Sequence, residues 1–342
     1  MGLVNTTDLL DHAEKYSYAV GAFNVVNLGF LNGILEAAET VHSPVILNIA
    51  ESHFPYVNIE QITPAIKYMA DNACVPVVLN LDHGQSIETV VKALRSGFSA
   101  VMYDGSKKPY EQNIEETRLV VKMAHSVGVS VEAELGRVGG AEGGKKTARA
   151  KKEFFTNPDE AEKFVSQTGI DALAVAVGNV HGFYEGEPEL DFDLISELKR
   201  RTGIPLVLHG GSGISDNDFK HAIKLGISKI NFFTEMSKMA TDRVRELLTS
   251  SRDYLIQDLL KEAQGKIKEV VMDRMQVFGS ANACALPGNI CPTGGSCGIC
   301  SISASPDKSA PALSKVKKPI AISNEEITDI ITRVVADILR GL

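Results

Sequence analysis

Three of the eight histidines in this 342-residue chain, His83, His181 and His209, each follow a short apolar run. They lie too far apart in sequence to form a local finger motif, so only a fold that gathers the ends of separate strands brings them together. Three neutral imidazoles around one open position suit a catalytic Zn²⁺ that polarises a carbonyl as a Lewis acid. Acids and amides stand at equivalent places: Asn24, Asp82, Asp104, Glu132, Glu134 and Asn231. One such histidine alone reads as an ordinary hydrogen-bonded residue; three at strand ends beside carboxylates read as ligands. His12, His42, His53, His125 and His221 lack that company and are assigned structural roles.

Two glycine-rich segments accompany the histidines. The first, His209-Gly-Gly-Ser-Gly-Ile214, precedes a helical stretch, and Asn231 to Thr234 follow the next apolar run. Glycine turns before helices present backbone N–H groups to anions, which points to a phosphate here. The second, Gly139 to Gly144, carries Glu142, either as the acid or base of a mobile lid or as a residue of a solvated loop.

These side chains need a scaffold. Short apolar runs begin at Tyr18, Pro44, Pro76, Ser99, Val129, Asp171, Pro205 and Ser228, eight in all, separated by stretches of helical spacing such as Leu31 to Val41. Runs apolar on consecutive residues are what strands buried on both faces require. Eight β-then-α units predict an α/β fold of the (β/α)8 TIM-barrel type, whose chemistry sits at the C-terminal strand ends. Pro44, Pro76, Gly128, Gly169, Pro205 and Gly226 are helix stops just ahead of strands. A doubly wound open sheet is the alternative, but its G-x-G-x-x-G fingerprint is missing after the first strand. The barrel pattern closes near Phe233, and a long helical stretch, Arg252 to Phe278, follows.

Composition excludes several classes of function. The chain carries 35 Lys+Arg against 43 Asp+Glu, a formal net charge of -8, and no basic stripe of the kind a nucleic-acid partner requires. No run approaches the ~18 apolar residues of a membrane span, and the N-terminus lacks a secretory pattern, so a cytoplasmic protein is expected. Gly2 and Thr6 fit only the loose myristoylation pattern. Cys74 lies in the body and Cys284, Cys291, Cys297 and Cys300 crowd a late segment, which is no secreted disulfide framework. Cys297-x-x-Cys300 without a second such pair reads as exposed thiols in a linker.

The expected domains are a barrel over residues 1–283, a flexible Cys/Pro/Gly/Ser linker over 284–320 and an amphipathic helix over 321–342. In the last, Ile327, Ile330, Ile331, Val334, Val335, Ile338 and Leu339 form one apolar stripe, with Ser323 and Glu326 as a capping box. A short tethered helix of this kind needs a partner surface.

The segments GAFNVVN from Gly21, LNLDHG from Leu79, VMYDGS from Val101, VEAELG from Val131, GNVHG from Gly178, LHGGSGI from Leu208 and KIN from Lys229 resemble, in order, the class II, zinc-dependent fructose-bisphosphate and tagatose-bisphosphate aldolase family. The resemblance covers residues 1 to about 283. It implies that His83, His181 and His209 ligate catalytic zinc and that Asp82 is the acid/base on the C4 hydroxyl. Asp104 and Glu134 match positions for a second or displaced metal, and Glu142 matches the lid carboxylate that moves a proton at C3 of dihydroxyacetone phosphate. Gly182, Gly210, Gly211, Ser212, Asn231 and Thr234 match the groups around that product's phosphate and a nearby monovalent cation, and Asn24 matches a substrate contact. No Schiff-base lysine is required, and Lys229, at the start of its strand, is badly placed for one. The resemblance also implies a homo-oligomer, a dimer or tetramer.

Departures bear on substrate and location. Family members acting on fructose bisphosphate usually carry Ser where this chain has Ala50, and many carry Asp or Asn between Asn231 and Thr234, where Phe232 and Phe233 stand. The dihydroxyacetone phosphate half is complete. Loss of polar groups on the aldehyde side argues for a ketose 1-phosphate with a less polar tail. Fructose 1,6-bisphosphate, the commonest substrate of the family, is nevertheless kept as the leading one, with another ketose 1-phosphate, or a non-catalytic phosphosugar-binding or assembly role, as alternatives. The C-terminal extension resembles encapsulation peptides that carry enzymes into bacterial microcompartments; a helix docking on the barrel or its dimer partner is the alternative.

Overall fold

The computed structural model describes residues 3–140, 147–148, 150–251 and 253–288. Eight parallel strands close a barrel: β1 (Val20–Asn24), β2 (Val45–Ala50), β3 (Val77–Gly84), β4 (Ala100–Tyr103), β5 (Ser130–Leu135), β6 (Ala172–Val175), β7 (Leu206–Leu208) and β8 (Ile227–Phe232), with β8 pairing back to β1. All eight expected apolar runs supply these strands.

The helices alternate with them: α1 (Thr6–Tyr16) precedes β1, and α2 (Leu28–Val41), α3 (Ile59–Asn72), α4 (Ile87–Ser96), α5 (Tyr110–Ser126), α6 (Pro158–Thr168), α7 (Phe192–Thr202) and α8 (Asp216–Lys224) follow β1 to β7. Their starts are set by the side chains of Asn27, Asn58, Ser86, Asn157, Asp191 and Ser215, which accept from N–H groups of the first turn. Gly97, Gly169 and Gly203 end α4, α6 and α7 in the left-handed conformation. The stretch expected as one helix from Arg252 is instead α10 (Ile256–Val277), preceded by a separate α9 (Thr234–Ser250). Helix α10 lies against α2 so closely that a Cβ on Gly33 would come 2.9 Å from the Gln264 carbonyl oxygen.

Side-chain alternation divides the strands into two environments. Outward residues such as Phe23, Leu47, Leu79, Leu81, Val101, Leu173 and Leu208 fill the layer between barrel and helices. Inward residues change character along the axis. Val20, Ala22, Ile46, Val78, Ala100, Ala172 and Val207 pack the lower barrel, whereas Asn24, Asn48, Asn80, Asp82, Glu132, Glu134 and Asn231 lie buried toward the C-terminal ends. Register aligns Asn24 with Asn48, Asn48 with Asn80, and Ala50 with Asp82. Beneath the barrel, Leu9, Leu10, Ala13, Tyr18 and Ala283 close the floor.

The packed body continues past the boundary expected at 283. Cys284 is buried, its N–H donates to the His42 carbonyl, and His12 Nε2 lies 3.2 Å from the Pro287 oxygen. Cys284 and Pro287 thus touch the barrel's underside. Cys291, Cys297, Cys300 and the expected helix over 321–342 lie outside the described residues, as does Glu142. Among the described residues, no helix is long and apolar enough to cross a membrane.

Candidate active site

His83 leaves β3 with its backbone in the left-handed region, φ 48°, a conformation rare for a residue with a Cβ. The β3–β4 register shifts at this point, between Leu81 and Gly84, so the strand end re-aims the imidazole. His209 follows β7 directly. His181 does not end β6, as the sequence suggested; that strand stops at Val175, and His181 sits in a two-residue ladder, Val180–His181 against Gly139–Gly140. Glycine makes this possible. Gly210 has φ 66°, and a Cβ there would fall 2.0 Å from the Val180 oxygen, so the residue after His209 lets the His181 loop close onto it.

The three imidazoles converge. Their ligand nitrogens lie within 4.8 Å of one another, and a second group with the same span joins His83 to Asp104 and Glu134. His83 Nε2 is 3.0 Å from His181 Nε2, while its Nδ1 is 3.1 Å from Asp104 Oδ2 and 3.7 Å from Glu134 Oε2. His209 Nε2 lies 2.8 Å from Glu132 Oε1, and its Nδ1 lies 3.1 Å from Asn231 Nδ2. Because Asn231 Nδ2 can only donate and the Glu132 carboxylate can only accept, His209 Nδ1 carries the lone pair and Nε2 the proton.

Charge is distributed unevenly through the cluster. Burial works against an imidazolium at His83, but the carboxylates of Asp82, Asp104 and Glu134 prevail and push its pKa up to about 10. Burial and the neighbouring His83 and His209 hold His181 neutral, well below the usual range. Glu134, buried and facing Asp104, is pushed up to about 8. A protonated His83 donating from Nε2 to a neutral His181 accounts for their contact. Two buried oxygens, Glu134 Oε2 and Asn231 Oδ1, accept no hydrogen bond. Borderline nitrogen donors, flanking carboxylates and unsatisfied oxygens together fit a divalent cation.

Beside the imidazoles lies Asp82, fully buried. Its Oδ2 accepts from Asn24 Nδ2 at 3.1 Å and its Oδ1 from Asn231 Nδ2 at 3.0 Å. Burial raises its pKa, but His83, His209, Lys229 and the Asn24 hydrogen bond outweigh this and leave it below the usual carboxylate range. Both amides thus hold an ionised carboxylate in one orientation.

The glycine-rich turn after β7 meets the start of α9. Ser212 Oγ accepts from the Glu235 N–H at 3.0 Å, and no side chain caps this 17-residue helix at Phe233. Ser212 and Thr234 thus stand at the N-terminus of α9, the end of a helix that favours an anion, while Gly210 and Gly182 directly follow His209 and His181. The Gly211 N–H is donated to the Asn231 carbonyl at 3.1 Å, which ties the turn to β8.

The chain matches the family model for class II fructose-bisphosphate aldolase over residues 4–283. It belongs to that family. It is 44% identical over 286 residues to the probable fructose-bisphosphate aldolase of Bacillus subtilis, covering 82% of this chain and 99% of that protein. Identity to the fructose-bisphosphate aldolase of Geobacillus stearothermophilus is 42% over 289 residues, covering 83% of this chain and 100% of that one. Among solved structures, the YdjI aldolase from Escherichia coli K12 superposes with a TM-score of 0.74 at 37% identity, covering 82% of this chain and 98% of that one. Class II aldolases act on phosphorylated sugars and are generally zinc-dependent.

Two features of this aldolase were missed in the sequence. His53, assigned a structural role, lies in the short turn Glu51–His53 directly after β2, only 5% exposed. Its ring centroid is 4.6 Å from that of Phe233, which in turn is 6.2 Å from Phe30, and burial holds its imidazole below the usual range against the opposing charge of Asp82. His53, Phe233 and Phe30 thus form one aromatic group at the β8, β1 and β2 ends. Position alone carried the signal: His53 stands three residues beyond the strand end that pairs with Asp82. The second feature is Glu132, read only as a strand-end acid, which binds the outer nitrogen of His209.

Proposed function

We propose that this enzyme reversibly cleaves a ketose phosphate to dihydroxyacetone phosphate and an aldehyde, with fructose 1,6-bisphosphate, the substrate class in its relatives' names, as the leading substrate. The observation that carries this is an ionised Asp82, fixed on both oxygens by Asn24 and Asn231, beside three converging imidazoles. His83, His181 and His209 would hold Zn²⁺ through the nitrogens not engaged by Asp104 and Glu132. Bound there, the ion supplies Lewis-acid polarisation of the substrate carbonyl and stabilises charge as it develops.

The chain's own groups supply the rest. Asp82 takes the proton of the C4 hydroxyl, the C3–C4 bond breaks, and its electron pair stays with the dihydroxyacetone phosphate half. Glu142 is assigned the return of a proton to C3. Gly182, Gly210, Gly211, Ser212, Asn231 and Thr234 surround the phosphate and a nearby monovalent cation, and Asn24 contacts substrate. Asp104 and Glu134 form the second or displaced metal site.

Cation binding should be linked to proton release. With His83 pushed up to about 10, its ring is an imidazolium at neutral pH in the metal-free protein, and a cation between His83 and His181 must displace that proton. Calorimetry in buffers of different ionisation enthalpy should show about one proton leaving per Zn²⁺ at pH 7, falling away as pH rises through about 10. Binding without proton release at pH 7 would count against this charge state.

The second substrate reading, a ketose 1-phosphate with a less polar tail, is supported by the aromatic contacts that Phe233 makes with Phe30 and His53. A panel of ketose phosphates, assayed for dihydroxyacetone phosphate release, tests both substrate readings. His53→Ala is expected to lower kcat/KM for the preferred ketose about tenfold. The loss should be larger than that on solvent-proton exchange at C3 of dihydroxyacetone phosphate. Equal losses in the two assays would take His53 out of aldehyde recognition.

We also propose that the wild-type enzyme is a cytoplasmic homo-oligomer, a dimer or tetramer, and that residues beyond 288 act as an extension ending in a targeting or docking helix over 321–342. The single apolar stripe in that sequence supports this. Deleting residues 320–342 should preserve cleavage while changing localisation or assembly; loss of turnover in a folded protein would instead place the tail in the active site.

A further inference from the structure

A lysine in the interior of a barrel is costly, and Lys229 is fully buried. Register sets it beside Val20 of β1 and Val207 of β7, one inward layer below Asn231 and His209. Its Nζ lies 2.5 Å from Glu132 Oε2. The other oxygen, Glu132 Oε1, lies 2.8 Å from His209 Nε2, and His209 Nδ1 lies 3.1 Å from Asn231 Nδ2. Four side chains from β5, β7 and β8 thus form one continuous chain that runs from the barrel core to a candidate ligand nitrogen.

Each link constrains the next. Glu132, itself buried, uses one oxygen on an ammonium and the other on an imidazole N–H, so neither is free to rotate. The imidazole, held at Nε2, keeps the tautomer that leaves the Nδ1 lone pair toward the cluster. Without the ammonium, the carboxylate would stand in the core with only a neutral partner.

Resting on the proposal that His209 is a metal ligand, we propose that Lys229 is a positioning residue for the metal site: it anchors Glu132, and through Glu132 orients His209. The assignment concerns the core side of the site and is independent of substrate choice.

The test measures metal rather than turnover. Zinc affinity is determined by competition with a chromophoric chelator, and the visible bands of the Co²⁺-loaded protein report ligand geometry. Four forms are compared: wild type, His209→Ala, Lys229→Met and the double variant Glu132→Gln/Lys229→Met, which removes both buried charges and so guards against misfolding. Each is checked for a cooperative thermal transition. Wild type should bind Zn²⁺ tightly and His209→Ala weakly; if these two bind alike, His209 is no ligand and the metal assignment itself fails. If they differ, the folded Lys229→Met and double variants should each bind zinc roughly 10- to 100-fold more weakly than wild type, with shifted Co²⁺ bands. Wild-type affinity and Co²⁺ bands in the folded double variant would overturn the proposal. So would wild-type behaviour of Lys229→Met alone, since Glu132 would then hold His209 without its anchor.

Discussion

Replacing Asp82 with Asn is expected to lower kcat for ketose cleavage by about 10² to 10⁴, the range for removing a positioned general base. The zinc content should stay near that of the wild type, because Asp82 lies outside both candidate metal groups. Its carboxylate accepts from Asn24 on one oxygen and Asn231 on the other, so an amide at position 82 sets an NH2 against one of two donors. Asn24 can turn its own amide over to repair that contact, which keeps the fold. Steady-state kinetics with metal analysis and a thermal melt separate the outcomes. A folded, zinc-loaded Asp82→Asn protein that retains wild-type kcat would remove Asp82 from the proton transfer.

The second large effect belongs to His181. Its loop is held independently of the imidazole: Thr147 Oγ1 donates to the His181 carbonyl at 3.0 Å, and the Tyr184 hydroxyl, accepting from the Val180 N–H, donates to the Gly210 carbonyl. His181→Ala should therefore fold, yet bind zinc weakly. Lewis-acid stabilisation is worth several kcal/mol, and each 1.36 kcal/mol is a factor of ten, so activity should fall by about 10³ or more. Partial recovery at high added zinc would fit a lost ligand, whereas undiminished zinc content and turnover in the variant would show that His181 is not one.

The barrel was legible because burial on both faces leaves consecutive apolar residues that Pro and Gly punctuate. The cluster of candidate metal ligands was legible for a related reason: polar side chains at the ends of such runs have few structural excuses. What escaped needed the third dimension. His181 was expected on the sixth strand, but Gly178, with φ 108°, turns the chain after Val175, and a Cβ there would fall 2.1 Å from the Glu189 oxygen. Lys229 looked like an unremarkable strand start, since its partner Glu132 is 97 residues away and meets it only across the closed barrel. His53 sat among unaccompanied histidines because Phe233, its ring partner, lies at the other end of the barrel sequence. The helical region after β8 was read as one element starting at Arg252, whereas α9 had already begun at Thr234, where the uncapped turn left no sequence signal.

Dihydroxyacetone phosphate release from ketose phosphates, measured before chelation, after exhaustive EDTA treatment and after zinc add-back, tests the central claim most directly. Metal-dependent aldol cleavage at the His83, His181 and His209 cluster predicts release that EDTA abolishes and zinc restores. Release that persists undiminished in protein shown to be metal-free would contradict it.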